Sequence, residues 1–108
     1  MNKKIYLFCS AGMSTSLLAS KMQKVATEHN LPIEVEAFPY AQIDKIVAEK
    51  NPDCILLGPQ VKFMLKEVQG KFDAQTPVDV INSVDYGAMN GEKVLKTAIK
   101  MIKARQAK

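Results

Sequence analysis

The chain has 108 residues, 47% apolar and 24% charged, which suits one domain over residues 1–108 and argues against disorder. Two distant cysteines and one histidine, His29, give neither a metal-ligand spacing nor a disulfide framework, so no metal and no cofactor are expected. The net charge of +4 gathers late, at Lys93, Lys96, Lys100, Lys103, Arg105 and Lys108. With no aromatic interleaved for stacking, it reads as a solvated helix face, and no nucleic-acid partner is expected.

In chain order, Lys3-Lys4 before Ile5-Tyr6-Leu7-Phe8 imitates a signal peptide. The apolar run stops at four residues, short of the roughly 7–15 a signal needs, and nothing approaches the roughly 20 that span a bilayer. A cytoplasmic chain is expected. Lys4–Phe8 reads as a strand and Thr15–His29 as a helix with Leu18, Met22 and Val25 on one face. Ile33–Phe38 is the second strand, followed by a helix over Ala41–Lys50. Cys54–Leu57 is the third strand, followed by a helix over Val61–Val68. Val78–Ile81 is the fourth strand, and Gly91 to about Ala104 is a helix with Val94, Leu95, Ala98, Ile99 and Ile102 in a stripe. Asn30, Pro32, Asn51-Pro52, Gly70 and Pro77 are placed as breakers between them.

Alternation of strand and helix predicts an α/β three-layer sandwich, a four-stranded parallel sheet of order 2-1-3-4 with helices on both faces. This is a shortened flavodoxin-like sheet. In such sheets ligands bind at the carboxyl ends of the strands, at the switch point beside strand 1, which is the loop after Phe8.

That loop reads Cys9-Ser10-Ala11-Gly12-Met13-Ser14-Thr15-Ser16. Small residues and Gly12 let backbone N–H groups turn inward around an anion, and the start of a helix near Ser14 adds unpaired N–H groups and a positive dipole end. Ser10, Ser14, Thr15 and Ser16 offer hydroxyls. No acid precedes Glu28, so the helix N-terminus is left for an anionic ligand. The same donors favour a thiolate at Cys9, the nucleophilic form. Cys54, within a strand, reads as core.

Three cysteine chemistries compete for this loop. A C-x5-R phosphatase needs an arginine where Thr15 stands, and the only arginine is Arg105; no acid lies in the loop, though Asp85 could approach from the last strand's loop. Thiol–disulfide exchange needs a resolving cysteine, for which Cys54 is the one candidate. Transfer without hydrolysis needs neither, and a cradle lacking clamp and acid suits it best.

The run Ile5-Tyr6-Leu7-Phe8-Cys9-Ser10-Ala11-Gly12-Met13-Ser14-Thr15-Ser16-Leu17-Leu18 resembles the IIB component of bacterial sugar phosphotransferase systems, in the lactose/cellobiose/chitobiose group. The resemblance continues through Glu36-Ala37-Phe38-Pro39, Leu56-Leu57-Gly58-Pro59-Gln60-Val61, Tyr86-Gly87 and Val94-Leu95, covering essentially the whole chain. It implies a fold like that of low-molecular-weight tyrosine phosphatases. It also implies that Cys9 takes a phosphoryl group from a phosphohistidine on a IIA protein and gives it to a sugar, a cellobiose, chitobiose or lactose type of disaccharide, at the membrane IIC protein. Ser10 through Ser16 would hold the phosphoryl oxygens. Pro59, Gln60, Tyr86 and Gly87 are candidates for a docking face or for turn packing. A regulatory module of the same family, phosphorylated on Cys9 for signalling, is the alternative.

Overall fold

The computed structural model describes residues 3–10 and 13–106, with residues 13, 14 and 106 described in their backbone only. Four strands, β1 (Lys3–Cys9), β2 (Ile33–Pro39), β3 (Cys54–Leu57) and β4 (Val78–Val80), form one sheet in the order β2-β1-β3-β4. All three neighbouring pairs are parallel, as the expected order 2-1-3-4 requires. The helices are α1 (Met13–Glu28), α2 (Ile43–Lys50), α3 (Leu65–Phe72), α4 (Ser83–Gly87) and α5 (Gly91–Gln106).

Strand β1 explains the three layers. It is buried from Ile5 to Cys9, and its side chains alternate between faces. Ile5 and Leu7 join Leu18, Met22, Val94, Leu95 and Ile102 under α1 and α5. Tyr6 and Phe8 join Ile43, Ile46, Val47 and Val68 under α2 and α3. Each face therefore buries its own apolar cluster.

Gly91 lets the first layer close. A Cβ there would stand 2.9 Å from the backbone of Lys21 and Met22, so α5 meets α1 at a point where only glycine fits. Asn51, predicted as a breaker, ends α2 in the left-handed region with φ 47°, its N–H donating to Val47 O. On the open edge of β2, the Gln23 amide accepts from Val35 N at 2.8 Å and donates to Ile33 O at 2.9 Å. A side chain thus takes the place of a further strand and blunts that edge.

Three expectations need correction. The helix predicted over Val61–Val68 is split: a 3-10 turn covers Pro59–Met64, with a kink at buried Val61 (φ −116°, ψ 25°), and α3 begins only at Leu65. Gly70 does not break a helix; it lies inside α3 on the exposed side, while Phe72 continues to pack on the core. A short helix, α4, follows β4 where none is expected from the pattern. Asn82 caps it, its side-chain oxygen accepting from Val84 N at 2.9 Å and Asp85 N at 3.2 Å.

Candidate functional site

Cys9 is the last residue of β1, flanked by Pro39 on β2 and by the Gly58 backbone after β3, whose N–H donates to Phe8 O at 2.7 Å. Alternation along β1 turns it toward the same face as Ile5 and Leu7, the face that α1 covers. Helix α1 begins four residues later with no acid in its first turn. Its first-turn N–H groups, which have no partner within the helix, and its positive dipole end therefore stand near the end of β1, with no acid in that turn to neutralise them.

Ala11 and Gly12, and the side chains of Met13 and Ser14, lie outside the described residues. Ser10 and Ser16 are exposed. Thr15 is different: it is 0% exposed, and its hydroxyl lies 3.1 Å from the Tyr86 hydroxyl. Its side chain, expected to offer a hydroxyl to the loop, is engaged with α4.

The four candidates for a docking face divide. Pro59 is half-buried in the turn after β3, and Gly87 is exposed on α4. Gln60 and Tyr86 instead join each other, Gln60 Nε2 donating to Tyr86 Oη at 3.0 Å. Gly58, which by sequence is merely the end of a strand, packs directly against the thiol's strand. A Cβ built on it would stand 3.0 Å from Cys9 Cβ and 2.7 Å from Gln60 Oε1.

Two alternatives for Cys9 lose support from the geometry. Cys54 pairs across from Ile5, four residues or roughly 13 Å back along the sheet from Cys9, too far for a disulfide without dismantling β3. Cys54 is fully buried beside Met101 Sδ, at 3.9 Å, and burial, with Asp79 and Asp53 adding to it, pushes its thiol up to about 12. It is a core residue. Asp85, the one acid considered for a hydrolase, is paired with Lys93 on α5 at 3.7 Å and lines a cleft of about 420 Å³ with Asp79, Asn82 and Thr97. Neighbouring positions on a helix point about 100° apart, so Tyr86 faces Thr15 and Gln60 while Asp85 turns to α5.

Among the described residues, Leu17 (53%), Phe63 (77%) and Val84 (74%) are large apolar side chains that stand more than half exposed. They lie on α1, the turn after β3 and α4, the segments that follow β1, β3 and β4. Leu17 adjoins Leu18, and residue type gives no hint that one is exposed and the other buried.

No helix among the described residues is long and apolar enough to cross a membrane. Residues 4–97 match the family described as the lactose/cellobiose-specific IIB subunit of the phosphotransferase system. The chain is 52% identical to the galactose-specific EIIB component of Lactococcus lactis subsp. cremoris, over 90% of this chain and 94% of that one. It is 50% identical, with the same coverage, to the cellobiose-specific EIIB component of Lactococcus lactis subsp. lactis. It is 36% identical to the oligo-beta-mannoside-specific EIIB component of Bacillus subtilis, over 93% and 96%. Among solved structures, the cellobiose-specific IIB component of Borrelia burgdorferi superimposes with a TM-score of 0.78 at 36% identity, covering 96% of this chain and 94% of that one. The lactose-specific IIB domain of Streptococcus pneumoniae shares the fold, with a TM-score of 0.79 at 17% identity over 94% and 98%. The chain belongs to the lactose/cellobiose-specific IIB family of the phosphotransferase system, the phosphotransferase components of sugar uptake.

Proposed function

We propose that Cys9 carries a phosphoryl group between a IIA donor and a sugar. The Cys9 thiolate attacks the phosphorus of a phosphohistidine; the S–P bond forms, the P–N bond breaks, and the imidazole nitrogen keeps the electron pair. A sugar hydroxyl oxygen at the IIC protein then attacks the phosphorus, the S–P bond breaks, the thiolate leaves, and the hydroxyl proton passes to solvent or a neighbouring base. The observation that carries this reading is the position of Cys9 at the carboxyl end of a central strand, just before the acid-free N-terminus of α1. A phosphoryl group brings nearly two negative charges and three acceptor oxygens, which suit those N–H groups.

The loop from Ser10 to Ser16 is the cradle in this reading, Thr15 taking part through its backbone. Pro59 and Gly87, with exposed Leu17, Phe63 and Val84, form the docking face for the donor and for the membrane protein on its cytoplasmic side. The acceptor is a β-linked disaccharide of the cellobiose, chitobiose or lactose type. Relatives named for galactose and for cellobiose are 52% and 50% identical to this chain, so the IIB sequence carries little of the sugar choice, which falls to the membrane partner.

Incubation with a phosphorylated IIA protein tests the reading. The intact mass is expected to rise by one phosphoryl group, and site mapping to place it on Cys9. A phosphoryl group found on another residue, or none at all, overturns it.

A further inference from the structure

Three segments that follow β1, β3 and β4 meet at one hydroxyl. Tyr86 Oη, from α4, accepts from Gln60 Nε2 of the turn after β3 at 3.0 Å and shares a hydrogen bond with Thr15 Oγ1 of the first turn of α1 at 3.1 Å. A tyrosine hydroxyl can accept one bond while donating another, so it serves both partners at once. The residues are 26 and 71 positions apart in the chain.

The Gln60 amide has two ends. Binding its donor end to Tyr86 fixes where its acceptor end goes, and that end, Oε1, borders the space beside Gly58 that Cys9 Cβ also borders. Gln60 is otherwise an exposed side chain with freely turning torsions. An oxygen held there repels the oxygens of a phosphoryl group on Cys9, since all are acceptors, and steers them toward the N–H groups of α1. Thr15 ties that end of α1 to the same hydroxyl. Cys9 itself is only 2% exposed, so small displacements of its neighbours decide what reaches the sulfur.

We propose that Tyr86 and Gln60 are positioning residues for Cys9, with Thr15 as their anchor on α1. This rests on the phosphocarrier reading of Cys9. Magnitudes favour a positioning role over a purely structural one. A single hydrogen bond contributes about 0.5–1.5 kcal/mol to stability, whereas an ångström of misplacement at a reacting centre costs about a hundredfold in rate.

The test compares the wild type with Tyr86→Phe, Gln60→Met and the double variant. For transfer from a phosphorylated IIA protein, each single variant is expected to lose about tenfold in kcat with KM for the donor nearly unchanged, and the double variant to lose no more than either. Released from Tyr86, the Gln60 amide should also let iodoacetamide reach Cys9 about threefold to tenfold faster, the worth of one hydrogen bond. Thermal unfolding checks that each variant is folded. Should any variant fail to fold, Gln60→Ala, at an exposed position, removes the amide without touching Tyr86 or crowding Cys9, and the same kcat loss is expected from it. A rise in KM at constant kcat would make these residues docking contacts and overturn the proposal, as would additive losses or wild-type rates in both assays. If the wild type accepts no phosphoryl group, the carrier reading fails on its own, and the alkylation rates still decide whether Tyr86 and Gln60 govern Cys9.

Discussion

Cys9 and Cys54 stand on adjacent parallel strands and belong to the same face of one sheet, Cys9 as the last residue of β1 and Cys54 as the first of β3. Neither takes part in a disulfide and both are buried. Their surroundings differ in kind. Cys54 is enclosed by Ile5, Leu56 and α5, with the Met101 sulfur 3.9 Å away, and desolvation holds its thiol protonated. Cys9 lies where the strand gives way to loops, next to Gly58, the Gln60 amide and the start of α1. Position along the strand, rather than depth of burial, separates a packing thiol from the one proposed to accept the phosphoryl group.

Substitution of each thiol by serine sharpens this contrast most. Cys9→Ser is expected to abolish phosphoryl acceptance while leaving urea stability nearly unchanged. Cys54→Ser should transfer normally and lose about 1–3 kcal/mol, the cost of a hydroxyl placed in an apolar core. Mass spectrometry after incubation with the donor, together with urea titration, reads both; full labelling of Cys9→Ser would break the comparison.

Alkylation separates the thiols without mutation. At pH 8 iodoacetamide should modify Cys9 about a hundredfold faster than Cys54, which reacts only through opening of the core. Equal rates would place Cys54 nearer the surface than the structure does. Next in size, Gly58→Ala should lower transfer about tenfold by crowding Cys9 and moving Gln60, with a melting temperature within a few degrees of the wild type. Normal transfer in that variant would show that the space beside Cys9 tolerates a methyl group.

The pH dependence of stability tests Cys54 alone. Its folded thiol is raised from 9.0 to about 12, so the folded state keeps a proton that the unfolded state releases above about pH 9. Its stabilising contribution is intact below that pH and is lost as pH rises toward 12. Urea titrations between pH 9 and 11 should therefore fall more steeply for the wild type than for Cys54→Ala; parallel curves would contradict the burial of this thiol. The smallest effect is a control remote from both cysteines. Gly70 sits in α3 with open space where a Cβ would stand, nothing beyond its own stretch of helix lying within 4 Å of that point. Gly70→Ala should stabilise by about 0.5–1 kcal/mol and leave transfer untouched.

Much of this was legible in local pattern. Continuous apolar runs at Ile5–Phe8 and Cys54–Leu57 announce strands buried on both faces, and they are buried on both faces. The stripe through Val94, Leu95, Ala98 and Ile102 announces α5. Periodicity failed where backbone geometry is set by a single contact. Val61 fits a helical stripe with Met64, Leu65 and Val68, yet its burial under the sheet kinks the chain and delays α3 to Leu65. Gly70 resembles a stop signal, but an exposed glycine costs a helix only about 1 kcal/mol, less than the packing of Val68 and Phe72 contributes.

The sequence by itself determined the strand order and set Cys9 at the head of the loop after β1, the proposed site, because strand–helix alternation and a run of small residues are local signals. The family assignment was legible for the same reason. Only the tertiary structure decided that Thr15 turns its hydroxyl to Tyr86, that Gln60 reaches back over Gly58, that Asp85 faces Lys93, and that Leu17, Phe63 and Val84 stand exposed. Each depends on which of several loops, distant in the chain, a side chain meets at one edge of the sheet. Residue type and spacing do not encode that meeting; the crossover connections that bring the loops to a common edge create it.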